Sequence, residues 1–309
     1  MNEKTRIQIE EMKKQTIGCE IEMTNITRQT TIRTIAAYFG TENTVENTRQ
    51  NRWYCLDNQG RRWTAMGDGS ITATSGSEAC ELVTPILKYE DIPDLQEIVR
   101  KLRHKGAISN PNHCCGVHIH IGANDHNAKT LRNLTNIMAS HEELLIKALK
   151  LDRYRLEQYC STVDRDFLYE VNKRKPKRLS ELADIWYGEY SDRSYHYNST
   201  RYHMLNLHAT FTKGTVEFRL FQFDNPENGR RGGLHAGQLK SYIQLCLAMN
   251  QMAKSVRSAS PKPQQHENLK YAMRTWLLRL GFIGDEFKTA RELFTKRLEG
   301  DTAFRYGRA

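Results

Sequence analysis

Three short segments alternate polar and apolar residues: Gly18-Cys19-Glu20-Ile21-Glu22-Met23, Gly116-Val117-His118-Ile119-His120-Ile121-Gly122 and Thr215-Val216-Glu217-Phe218-Arg219-Leu220-Phe221. A β-strand sends residues i and i+2 to the same face. Glu20 with Glu22, His118 with His120, and Glu217 with Arg219 therefore each share a face, opposite apolar residues that seat the strand on a core. Singly, each pair has an ordinary explanation. Alternate glutamates mark the wet side of a half-exposed strand, a His-x-His pair is often surface or hydrogen-bonded, and Glu-x-Arg makes a structural ion pair. Three such pairs of the same parity on separated strands point instead to a shared site.

The rest of the chain suits an α+β architecture. Residues up to about 120, and again Tyr202 to Phe223, read as strands and turns with short helices between them. Thr31–Phe39, closed by Gly40, has helical character, and Asp57-Asn58-Gln59-Gly60 marks a hairpin turn. Asp91 is placed to cap a helix running to Lys105, with Pro93 in its first turn and Gly106 beyond its end. From Ala128 to about Trp186 apolar residues recur at helical spacing, interrupted at Lys173–Lys177 by Pro176. Further helices are expected after Gly232–Gly233 to about Lys254, over Glu267–Leu280 and over Phe287–Leu298. No internal repeat divides the 309 residues, and a single domain over 1–309 is expected, with a helical insertion at about 124–198 and C-terminal helices at about 233–309.

Composition narrows the function classes. The chain is 39% hydrophobic and 27% charged, yet four Trp, ten Phe and fourteen Tyr supply enough large apolar groups for a core. The N-terminal MNEKTRIQIEEMKK lacks the apolar run of a signal peptide. No stretch approaches the roughly 18–20 apolar residues that span a bilayer. Seven Cys without a regular framework fit a reduced, cytoplasmic protein. The formal charge of +10 is concentrated at Lys173, Arg174, Lys175, Lys177 and Arg178, with smaller clusters at Arg61–Arg62 and Arg230–Arg231. It suits a solvated basic face or attraction of an anionic substrate such as ATP.

Clustered carboxylates repel unless cations neutralise them. Mg²⁺ or Mn²⁺ does so with oxygen ligands and leaves positions for phosphate, and a neutral imidazole can complete the shell. The planar fork of Arg219 suits a transferred phosphoryl group. Neither GxxxxGK[ST] nor a GxGxxG after a strand occurs, so a nucleotide would be held through metals and scattered basic groups. Cys114-Cys115 beside His118 and His120 does not make a zinc site, because adjacent cysteines alternate faces on a strand and no second Cys pair follows. His203 and His208 read as strand surface.

GCEIE (Gly18–Glu22), GDGSI (Gly67–Ile71), ELVTP (Glu81–Pro85), CGVHIHI (Cys115–Ile121), RYHMLNL (Arg201–Leu207) and TVEFRLF (Thr215–Phe221) occur in this order over about two-thirds of the chain. In this the chain resembles the carboxylate–amine ligase superfamily, most closely its amidoligase branch with the glutamine synthetase fold. The resemblance implies a curved, mostly antiparallel sheet forming a bowl with helical insertions. It also implies ATP with Mg²⁺ or Mn²⁺ as cofactors, and an ADP-forming reaction that joins a carboxylate to an amine through an acyl phosphate. By resemblance Glu20, Glu22, Glu81, His118 and Glu217 are metal ligands, with Glu78 a second choice. His120, Arg219, Arg201 and Asn206 face phosphate or the substrate carboxylate, and Asp68 and Ser70 lie near the incoming amine. In glutamine synthetase the Asp-Gly-Ser turn precedes the Glu-x-Glu strand, whereas here it follows, which weakens the assignment of Asp68. The long N-terminal domain of glutamine synthetase has no counterpart in these residues, and its ring assembly is not expected. The resemblance implies a carboxylate and an amine as substrates, each an amino acid, polyamine, or peptide or protein, with neither a nucleic-acid nor a membrane partner expected. The alternatives are a kinase of a carboxylate or guanidino group on the same fold, and a catalytically inert basic protein that binds nucleic acid.

Overall fold

The computed structural model describes residues 3–48, 50–189, 192–229, 232–263 and 267–303. The basic pair Arg230–Arg231 lies outside them. Eight strands are present among the described residues: β1 (Ile17–Met23), β2 (Glu46–Asn47), β3 (Trp53–Leu56), β4 (Arg62–Met66), β5 (Cys80–Val83), β6 (Val117–Gly122), β7 (Leu205–Asn206) and β8 (Thr215–Phe221). They form one unclosed sheet in the order β2-β3-β4-β5-β1-β6-β8-β7. The pairs β2–β3, β3–β4, β4–β5, β1–β5 and β7–β8 are antiparallel. The architecture is α+β, and each of the three alternating segments is a strand.

Helices make up much of the remainder. They are α1 (Glu3–Lys13), α2 (Arg28–Phe39), α3 (Ile92–His104), α4 (Ala128–Leu149), α5 (Arg153–Gln158), α6 (Arg165–Arg174), α7 (Leu179–Tyr187), α8 (His208–Lys213), α9 (Ala236–Ser255), α10 (Leu269–Arg279) and α11 (Lys288–Thr295). No helix among the described residues is long and apolar enough to cross a membrane.

The chain divides into two compact units, one of residues 16–120 with 221–240, the other of 1–15, 121–220 and 241–309. In the first, α2 packs on β3, β4 and α3. Cys19, Ile21 and Met23 of β1 are at most 1% exposed, as are Ile32, Ile35 and Ala36 of α2. In the second, α4 packs against α6, α7 and α11. Asn127 starts α4 by accepting from the Thr130 N–H at 3.0 Å while the Thr130 hydroxyl meets the Asn127 N–H at 2.9 Å, which satisfies two N–H groups that a helix start leaves open.

The α3 helix ends as its sequence suggests, with Gly106 at φ +97°, a conformation costly for any residue with a Cβ. Its start differs from expectation. Asp91 precedes α3 but caps none of its N–H groups. The carboxylate instead accepts the Lys88 N–H at 2.7 Å and both Nη groups of Arg61, at 2.7 and 3.1 Å. Nε of Arg61 reaches Asp57 at 2.8 Å. The Asp57 hairpin turn is thereby tied to the α3 start by one guanidinium, 21% exposed in its side chain.

Burial pushes both carboxyls up, but at Asp57 the Arg61 and Trp63 donors outweigh it, and at Asp91 the Arg61 guanidinium and the Lys88 N–H do. Both therefore lie below the ordinary Asp value. A carboxylate depressed in the folded state stabilises above its unfolded pKa of about 4, and the contribution is lost as pH falls through the lower folded value. Replacing Arg61 with Met is expected to cost about 2–3 kcal/mol at pH 7, since two buried carboxylates lose their counter-charge. Chemical denaturation across pH 2–7 checks this: the variant's deficit should be complete above about pH 5 and shrink in acid. A deficit that does not change with pH would remove the ion-pair explanation.

Candidate active site

The polar residues of β1 and β6 are not on a wet face. Glu22 and His118 are each 4% exposed and His120 is 7% exposed. Burial of this kind requires partners, and the strands supply them. Nδ1 of His118 lies 3.1 Å from one Glu20 oxygen, and Nε2 of His120 lies 3.3 Å from the other. Nε2 of His118 is 3.7 Å from Glu22, whose second oxygen accepts the Gly116 N–H at 2.5 Å. Burial pushes the Glu20 carboxyl up, but hydrogen bonds and charge from His118 and His120 outweigh it and hold it well below the usual carboxylate range.

The register of β1 on β5 sets Glu22 directly opposite Glu81. Ionised like charges in direct cross-strand opposition destabilise a sheet. The β4–β5 register puts Met66 opposite Glu81 on its other side, and the chain leaving Met66 brings Asp68 to the same place. Glu22, Asp68 and Glu81 each offer an oxygen within 4.8 Å of the others, and Glu20, Glu81 and His118 form a second group within the same limit. Ser70 orients Asp68, donating its N–H at 2.7 Å and its hydroxyl at 2.6 Å to one Asp68 oxygen. Four carboxylates and an imidazole, with Glu81 common to both groups, make an oxygen-rich donor set that fits Mg²⁺ or Mn²⁺ better than a thiolate-seeking ion.

Glu217, Arg219 and Asn206 lie together on β7 and β8. Asn206 is the cross-strand partner of Glu217 and donates to it at 2.7 Å, while Arg219 pairs with its other oxygen at 2.5 Å. All three are at most 4% exposed. The guanidinium also points Nε at the Tyr159 carbonyl, at 3.4 Å, and lies 5.8 Å from the Tyr202 ring centre. Arg201, half-buried, donates to the His196 carbonyl at 3.0 Å and lies 5.7 Å from each of the Tyr197 and Tyr202 ring centres. Glu78 precedes β5 and joins neither carboxylate group.

Two expectations about cysteine and histidine need correction. Cys114 and Cys115 precede β6 rather than alternating along it, because Cys114 takes a left-handed turn at φ +56°. His208 is not strand surface: it opens α8, is 4% exposed, and its Nδ1 meets the Tyr187 hydroxyl at 2.7 Å. Sequence reading missed the Gly116 N–H as the group that orients Glu22, since a backbone donor leaves no mark on residue identity.

Fold and site together define an α+β protein whose antiparallel strands gather buried carboxylates and imidazoles on one sheet face. The family model described as "Putative amidoligase enzyme" matches residues 13–250, and the chain belongs to that family. No curated protein matches the chain. Among solved structures it is similar to a bifunctional glutathione synthetase from Pasteurella multocida, at 14% identity and a TM-score of 0.41, over 96% of this chain and 49% of that one. The chain thus spans about half the length of that structure.

Proposed function

We propose that the protein is an ATP-dependent carboxylate–amine ligase that forms an amide or isopeptide bond through an acyl phosphate. What carries the reading is Glu22 set directly opposite Glu81, with Asp68 joining them, in a chain of an amidoligase family. Carboxylates so arranged call for a divalent cation. Bound there, Mg²⁺ or Mn²⁺ would neutralise them and the phosphates of ATP. Glu20, Glu22, Glu81 and His118 would hold it, and the Asp68 carboxylate beside them would add to the negative field that attracts it. For Glu217 as a ligand, and for His120, Arg219, Arg201 and Asn206 toward phosphate or substrate carboxylate, support comes from the resemblance of their motifs. The same holds for the bowl-shaped sheet and for one catalytic domain over the whole chain.

In this reading the γ-phosphoryl group of ATP passes to a carboxylate oxygen of the substrate and ADP departs. An amine nitrogen then attacks the acyl carbon, the C–O bond to phosphate breaks, and inorganic phosphate leaves. Asp68, held by Ser70, takes the proton that the attacking ammonium must lose. Arg219 offers its donor fork to the charge that builds on the phosphoryl group.

Incubation with ATP, Mg²⁺ and a panel of amino acids, polyamines and peptides tests this. Expected are metal-dependent ADP release and a product whose mass is that of two substrates less one water. Metal-dependent ADP release with a phosphorylated but uncondensed product identifies a kinase instead. Salt-sensitive nucleic-acid binding without ADP release identifies the inert basic protein.

A further inference from the structure

Arg28 is the first residue of α2 and is 7% exposed. Its position is unfavourable on three counts. A cation at a helix N-terminus opposes the helix dipole. A buried cation has lost its hydration. No carboxylate lies within ion-pair distance of it among the described residues, and its Nε has no hydrogen-bond partner. What Arg28 does hold is backbone: Nη1 donates to the Gly76 carbonyl at 2.8 Å and to the Ala79 carbonyl at 2.9 Å.

Those carbonyls belong to the connection between β4 and β5. At its near end is Gly67, where a Cβ would stand 3.3 Å from the same Nη1 and 3.9 Å from the Ala79 carbonyl oxygen. The guanidinium is therefore enclosed by both ends of one loop. Asp68 follows Gly67 directly, and Glu81 follows Ala79 after one residue. The loop's two ends thus deliver the two carboxylates that meet Glu22.

We propose that Arg28 is the positioning residue for this carboxylate group: it clamps the β4–β5 loop and sets the spacing of Asp68 and Glu81, and thereby the affinity for a divalent cation. The inference rests on the metal reading given above. Arg28 touches neither carboxylate and acts through the Gly76 and Ala79 carbonyls and the close approach of Gly67. Gly67 itself is not at positive φ, so what a side chain there would disturb is the spacing to Arg28 and not the local backbone conformation.

The test uses Mn²⁺ alone as probe, followed by electron paramagnetic resonance, with hydrogen exchange of residues 67–79 measured in metal-free protein. Arg28→Met should weaken Mn²⁺ binding by about 10–100-fold, the usual consequence of removing a group that orients metal ligands. Amide exchange in the loop should rise, while exchange in α4, in the other unit, stays as in the wild type. Gly67→Ala should also weaken Mn²⁺ binding, because the clamp must give by a few tenths of an ångström, and should add little in the Arg28→Met background, since coupled sites are not additive. If Arg28→Met fails to fold, Gly67→Ala still decides the matter. Wild-type Mn²⁺ affinity in both single variants overturns the inference, as does unchanged loop exchange in Arg28→Met. A wild-type protein that binds no Mn²⁺ overturns the proposed metal centre instead, and loop exchange in Arg28→Met then decides the clamp by itself.

Discussion

Replacing Glu81 with Gln is expected to stabilise the metal-free protein and, in the same variant, to weaken Mn²⁺ binding by more than about 100-fold, the upper end of what loss of an outer-shell partner costs. The two opposite signs come from one geometry. Glu81 faces Glu22 across β1 and β5 and belongs to both carboxylate groups. Without a cation, exchanging one of two directly opposed charges for a neutral amide of equal size removes a repulsion worth up to about 1 kcal/mol. With a cation, the same exchange removes a charged ligand shared between both groups. Denaturation in chelator reads the first effect and titration with Mn²⁺ reads the second. ADP release should fall with the metal affinity. A variant less stable than wild type without metal would mean that Glu81 is held by donors rather than opposed, and the cation would lose its physical motive.

Arg219 is expected to separate into two roles under two substitutions. Arg219→Met takes the guanidinium away from Glu217, and the pair is at most 5% exposed in its side chains. Removing one partner of such a pair leaves a buried charge and costs about 3–5 kcal/mol. Arg219→Lys keeps the charge and most of the stem but loses the planar fork. It should fold with nearly the wild-type melting temperature, while turnover falls by about 10²–10³, the usual cost of removing one charge-stabilising group. Thermal denaturation beside ADP release distinguishes the two. If Arg219→Lys keeps full turnover, Arg219 serves only as the counter-ion of Glu217.

Much of this protein was legible in the amino-acid order because the signals are local. Side-chain alternation with period two marks β1, β6 and β8 and tells which residues share a face. Pro93 and Gly106 bracket α3, and Pro176 separates α6 from α7, through backbone restrictions carried by single residues. The same alternation singles out Glu20, Glu22, His118 and His120 as candidates. It does not tell whether their face is wet. Burial of Glu22, His118 and His120 comes from what covers that face, and coverage depends on residues distant in the chain.

Pairings between distant segments were decided only in three dimensions. Strand register, not composition, sets Glu22 against Glu81, 59 positions apart by their numbers, and slippage by one residue would put Glu81 on the opposite face. Asp57 and Asp91 read as a turn residue and a helix cap because those are their commonest local uses. Arg61 joins them because burial makes one guanidinium shared between two carboxylates more favourable than the local cap. Arg28 carries no local mark at all: it lies ahead of the helix expected from Thr31, in the polar stretch Thr27-Arg28-Gln29-Thr30. Its meaning comes from a loop whose carbonyls arrive 48 and 51 residues later. Local periodicity thus specified which faces exist, and the long-range packing of loops and strands specified which charges meet upon them.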